Sequence, residues 1–187
     1  TEQLVAKLGS DYLTDDPGQP INRPLKAPEN FDWQSEYGLL VHGTDLSRQK
    51  NYFEAEGYLK KALDKNPNLV PALTQLAQIM YRQGLYDKAR DYAGRALAID
   101  TYDPAANYFW GLASEKTGNG SDALDGYSVA TLSPDYRQAA WLRIAYLDIK
   151  KRDWKEADYV IEKCLESYPP NENACTVREM IARKLGK

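Results

Sequence analysis

Few side chains in this sequence could do acid–base, nucleophilic or metal chemistry. His42 is the only imidazole among 187 residues, and Cys164 and Cys175 are the only thiols. A tetrahedral zinc site of the usual kind needs four Cys or His ligands, so it cannot be assembled from three. An activated nucleophile needs a base beside it, and one histidine leaves little choice of partner. The adjacent carboxylates Asp15 and Asp16 fall in a proline-rich stretch, and the other acids are scattered as solvated charges are. Thr117-Gly118-Asn119-Gly120 and Asp16-Pro17-Gly18 read as turns, lacking the strand and lysine that a phosphate loop requires. No catalytic residue, cofactor or metal is expected. The two thiols, eleven positions apart, are expected to be reduced and packed, with a disulfide as the alternative in an exported protein. One chemical pattern is periodic: Arg48, Arg82, Lys116 and Lys150 recur every 34 residues.

The bulk composition narrows the function classes further. Hydrophobic residues make up 43% and charged residues 27%, with a net charge of -3. No surplus of Lys and Arg is present to release counterions from a nucleic-acid backbone, so a nucleic-acid partner is not expected. No apolar run approaches the ~18 residues of a membrane span. The chain opens Thr1-Glu2-Gln3 without a methionine or a targeting pattern, and reads as a piece of a longer protein of unknown compartment.

The 34-residue interval that spaces the basic residues also spaces the small ones. Ala55, Ala89, Ala123 and Ala157 share it, as do Ala62, Ala96, Ala130 and Cys164, and Gly43, Ala77, Gly111 and Ala145. Leu59, Ala93, Tyr127 and Ile161 stand four residues after the first column, one helical turn along the same face. First halves show the same spacing in Leu73, Leu76, Ala77 and Met80, so each unit is predicted to be a helix pair. Gln83-Gly84 breaks a unit internally, and Asn66-Pro67, Asp103-Pro104, Ser133-Pro134 and Pro169-Pro170 separate units. Short turns make the neighbours antiparallel.

Counted from Glu36, Val70, Pro104 and Gln138, these units resemble the tetratricopeptide repeat. The small eighth place holds Gly43, Ala77, Gly111 and Ala145, the large fourth place Leu39, Leu73 and Trp141, and the closing proline is Pro67 or Pro169. Asn107 takes the fourth place of the third unit, while Thr101 and Asp135 take the closing place in the middle units. With Gly120 and Gly126 near its second helix, the third unit is expected to be locally soft. The resemblance implies an all-α fold, an α-solenoid wound as a right-handed superhelix of antiparallel helix pairs. Four units are expected over 31–170, at about 36–69, 70–103, 104–137 and 138–171, followed by a capping helix at 171–187. Residues 1–30 are expected to form a short helix and an extended, proline-rich leader.

The resemblance further implies a concave surface lined by first-helix residues at the second, fifth, ninth and twelfth places. Here that groove would comprise Tyr37, Leu40, Thr44, Thr74, Gln78, Tyr81, Tyr108, Leu112, Glu115, Leu142, Tyr146 and Ile149, with Arg82 beside it. The family's carboxylate clamp is not expected, because its places hold Leu40, Thr44, Gln75, Ala105 and Phe109. His42, at the usually apolar seventh place, is expected to be buried and hydrogen-bonded. The basic column falls before the mid-unit turn, where it complements a helix C-terminus by ~0.3–1 kcal/mol. The function implied is non-catalytic binding of a protein or peptide segment in a tyrosine-rich groove. Strings such as Phe31-Asp32-Trp33-Gln34 and Thr101-Tyr102-Asp103-Pro104 also resemble the repeat region of large bacterial proteins with sugar-active-like β domains. That likeness implies the alternative of a structural spacer or a homodimerisation arm.

Overall fold

Helix starts follow from local chemistry. Ser35 accepts a hydrogen bond from the Gly38 amide at 2.9 Å, Asp103 from Ala106 at 2.6 Å and Asp153 from Glu156 at 3.2 Å, each satisfying an orphan donor of a first turn. Pro104 and Pro134 occupy first helical positions, where a missing N–H costs nothing. The computed structural model describes residues 30–166 and 172–186. The expected leader helix, the leader itself and the Pro169-Pro170 turn lie outside those residues. The chain divides into Thr1–Asp32 and Trp33–Lys187, and all but the first few described residues belong to the second unit.

Among the described residues there are nine α-helices and no strand. They are α1 (Glu36–Arg48), α2 (Tyr52–Lys65), α3 (Val70–Arg82), α4 (Tyr86–Ile99), α5 (Pro104–Lys116), α6 (Gly120–Ala130), α7 (Pro134–Lys151), α8 (Trp154–Leu165) and α9 (Glu172–Leu185). Each odd helix from α1 to α7 pairs with the even helix after it, each even helix packs on the next odd one, and α9 lies on α8. This is an all-α solenoid of antiparallel pairs. α7 begins at Pro134, one turn before the expected start at 138, because the proline presets the helical φ and Tyr136 packs on Tyr108 at 5.3 Å.

The small-residue columns sit at the helix crossings. Ala55, Ala62, Ala89, Ala96, Ala123, Ala130, Ala157 and Cys164 are all fully buried. In the first and third units the eighth-place glycine faces the large residue that stands one turn after the first column. A Cβ on Gly43 would stand 2.8 Å from Leu59, and one on Gly111 would stand 2.7 Å from the Tyr127 ring. The third unit is therefore closely packed rather than soft. Its Asn107 is buried and donates to the Thr101 and Asp103 carbonyls at 2.8 and 2.9 Å, closing the turn that lacks proline. Cys164 and Cys175 are free thiols; burial pushes the Cys164 pKa up to about 11, and its Sγ donates to the Gln138 carbonyl at 3.2 Å.

All four mid-unit turns are built alike. One residue is left-handed in each: Lys50 (φ 64), Gly84 (φ 77) and Gly118 (φ 86), which follow the helix cap, and Arg152 (φ 64), which is the cap itself. In each turn two amides return to the last carbonyls of the helix, as with Arg152 to Ile149 and Asp153 to Asp148 at 3.0 and 2.9 Å. A side chain at positive φ is strained by roughly 1–2 kcal/mol, partly offset by glycine's larger entropy in the unfolded chain. Arg152→Gly is accordingly expected to stabilise the protein by about 0.5–1 kcal/mol, which a denaturant midpoint measures.

Candidate functional site

The first-helix face of the third and fourth units carries a cleft of ≈ 610 Å³ lined by Tyr108, Glu115, Ala139, Leu142, Arg143, Tyr146, Ile149, Lys150 and Asn173. Helical spacing explains the set, since Leu142, Tyr146 and Ile149 recur at four and three residues along α7. Tyr108 comes from α5 and leans on Tyr127 and Tyr136 at ring distances of 5.8 and 5.3 Å. Burial pushes its phenol above the ordinary value, with Arg143 opposing.

Glu115 is the polar centre of this cleft, its side chain only 11% exposed. It accepts a hydrogen bond from the Tyr127 hydroxyl at 2.9 Å and faces Arg143 at 3.9 Å and Lys150 at 3.6 Å. Burial first, and then the Glu115 carboxylate, push the Tyr127 phenol far above its usual value. The arrangement brings one carboxylate, two cations, a phenol and an apolar wall together. It offers directional polar contacts flanked by aromatic surface.

Most of the expected groove residues, Tyr37 and Tyr81 excepted, separate into three groups. Tyr108, Glu115, Leu142, Tyr146 and Ile149 meet in this cleft, with Tyr81 half-buried against Tyr86 at 5.5 Å. Thr44, Gln78 and Arg82 line a different pocket of ≈ 330 Å³, together with Ser47, Arg48, Lys50, Tyr52 and Gln75. Leu40, Thr74 and Leu112 do not line a groove, being buried in the core at 9%, 6% and 4% exposure. The Thr74 hydroxyl donates to the Val70 carbonyl at 2.9 Å, which satisfies its one polar group without solvent. Tyr37 stands exposed and lines neither cavity.

Two further expectations change. His42 is exposed, not buried: it stacks on Tyr58 at 4.1 Å and meets the edge of Trp33 at 6.3 Å. In later units the same place is held by Leu76 and Ile144, which are buried, and by Trp110, whose ring lies under Arg90 of the preceding unit at 4.7 Å; no described helix precedes α1. The basic column does occupy last helical turns, but Arg48 and Arg82 share one pocket and Lys150 reaches Glu115. Arg143 was missed altogether. Its sixth-place position carries no family signal, although its spacing of one residue from Leu142 and three from Tyr146 puts it at the edge of the same face.

Comparison with known proteins agrees with the architecture. The family model of the TT21 fifth ARM repeats domain matches residues 44–147, and that of the tetratricopeptide repeat matches residues 139–171. No curated protein matches the sequence. Among solved structures, that of MamA protein is 19% identical with a TM-score of 0.70, over 81% of this chain and 82% of its own. PilF of Pseudomonas aeruginosa is 18% identical with a TM-score of 0.74, over 81% of this chain and 69% of its own. YrrB, described as a TPR protein with an unusual peptide-binding site, is 15% identical with a TM-score of 0.68, over 83% and 80%. At these identities the likeness is one of fold, and any ligand must be argued from the residues of the cleft.

Proposed function

Because this chain belongs to the tetratricopeptide-repeat family, we propose that it is an interaction module holding a partner segment in the cleft of its third and fourth units. The fold is that of a protein-interaction scaffold. The observation that carries the finer reading is the convergence of Tyr108, Leu142, Tyr146 and Ile149 around the Glu115, Arg143 and Lys150 cluster. Aromatic and arginine side chains lining a concavity are the composition of binding hot spots. YrrB supports the reading to the extent that a protein of similar fold has a peptide site.

The cleft holds two cations against one carboxylate, so the partner segment is expected to be apolar with an acidic residue. Tyr108 is a poor residue to truncate, because it is packed against Tyr127 and Tyr136 and its loss would disturb the fold. Tyr146 is exposed and separates binding from folding. Peptides selected from a random library on the intact chain are expected to lose affinity about tenfold or more with Tyr146→Ala, at an unchanged melting temperature. Fluorescence anisotropy reads this directly, and equal affinities would remove the cleft from consideration.

A further inference from the structure

The polar pocket of the first two units has a different chemistry. Arg48 from the last turn of α1, Lys50 from the following turn and Arg82 from the last turn of α3 line it, and no carboxylate does. None of the three has an ion-pair partner among the described residues, whereas Lys60, Arg90, Arg143, Lys150 and Lys163 do. In a chain of net charge -3 such a concentration is not a by-product of basic composition. Two helix C-termini here contribute roughly half a negative charge each, which leaves the pocket at about +2.

From this we infer that the pocket is a binding site for a dianionic oxyanion, a phosphate or phosphoryl group. A single carboxylate would leave positive charge uncompensated, while a phosphoryl group at neutral pH carries about two negative charges and three acceptor oxygens. Charge-assisted bonds from two guanidinium groups and an ammonium supply the strong contacts. The Thr44 and Ser47 hydroxyls add neutral donors on the α1 side. Arg82 is steered toward the pocket wall, where its Nη1 donates to the Tyr52 hydroxyl at 3.4 Å. The site stands apart from the partner cleft and does not depend on it.

Lys50 provides an unusual control, since it occupies a left-handed position that holds glycine in the second and third units. Lys50→Gly removes a charge while relieving strain. In a chemical-shift titration of the whole chain with inorganic phosphate, against chloride at matched ionic strength, saturable shifts are expected around Thr44–Tyr52 and Gln75–Arg82. Arg48→Gln/Arg82→Gln is expected to weaken phosphate at least about tenfold. Lys50→Gly is expected to raise the melting temperature and yet weaken phosphate. Lys116→Gln, in the same 34-residue column but outside the pocket, is expected to leave affinity unchanged. Phosphoserine binding as tightly as phosphate would identify a phosphorylated side chain as the source, and phosphate binding alone a free anion; both uphold the site. Shifts that merely track ionic strength, or an equal loss with Lys116→Gln, overturn it.

Discussion

Tyr127→Ala is expected to destabilise the protein by about 3–5 kcal/mol, the largest effect of any single truncation in the repeat unit. Tyr127 is fully buried at the centre of the third unit, between α5 and α6, where a ring stands in the column that elsewhere holds Leu59, Ala93 or Ile161. Its removal leaves a cavity and takes the hydroxyl from Glu115. Tyr127→Phe isolates the second loss, expected at about 1–2 kcal/mol, because Glu115 keeps Arg143 and Lys150 as neighbours. Gly111→Ala should also destabilise, since its Cβ would stand 2.7 Å from a ring that has nowhere to go. The fourth unit pairs Ala145 with Ile161 at the same two places. Gly111→Ala/Tyr127→Ile is therefore expected to cost about 1–2 kcal/mol less than the sum of its parts, and a urea-melt double-mutant cycle measures the difference.

The same phenol gives a pH dependence whose sign follows from its environment. In the folded protein Tyr127 ionises above the value of an unfolded tyrosine, near ~10. Its contribution is thus fully present below about pH 10 and is lost as pH rises beyond it. Burial pushes Tyr81, Tyr108 and Tyr136 the same way, so alkaline unfolding should set in steeply, and Tyr127→Phe should make it shallower. An unchanged alkaline midpoint would contradict the buried Tyr127–Glu115 contact.

Gly126→Ala is expected to cost about 2–3 kcal/mol although alanine is the better helix former by roughly 1 kcal/mol. A Cβ there would lie 2.6 Å from the Asn107 carbonyl oxygen and 3.1 Å from the Gly111 amide nitrogen. Both are backbone atoms, so relief requires α5 and α6 to move apart. Gly57→Ala, on an exposed turn of α2 with nothing within 4 Å, is expected to stabilise by about 0.5–1 kcal/mol instead. Opposite signs in parallel thermal melts confirm the crossing; equal signs would refute it.

Composition and periodicity alone were enough to specify helix pairs with small residues at their crossings. Hydrophobic burial is a property of spacing, and Ala55, Ala89, Ala123 and Ala157 announce a buried column by recurring every 34 residues. The family's groove places also include Tyr108, Glu115, Leu142, Tyr146 and Ile149, which line one cleft. What spacing does not encode is depth. Leu40, Thr74 and Leu112 share places with groove residues yet are covered, because neighbouring units decide how far a side chain at the rim is withdrawn. Nor does it encode the reason for a glycine: Gly126 and Gly57 look alike in the chain, and only the approach of Asn107 distinguishes them. Arg48 and Arg82 are 34 residues apart in a column of ordinary helix ends, and it took the turn at Lys50 and the stacking of α1 on α3 to gather three positive charges in one pocket. The sequence by itself therefore determined the repeat and its core, which depend on local order and hydrophobicity. The tertiary structure decided the cleft, the charged pocket and the cost of each small residue, because these depend on distances between chains of atoms far apart in sequence.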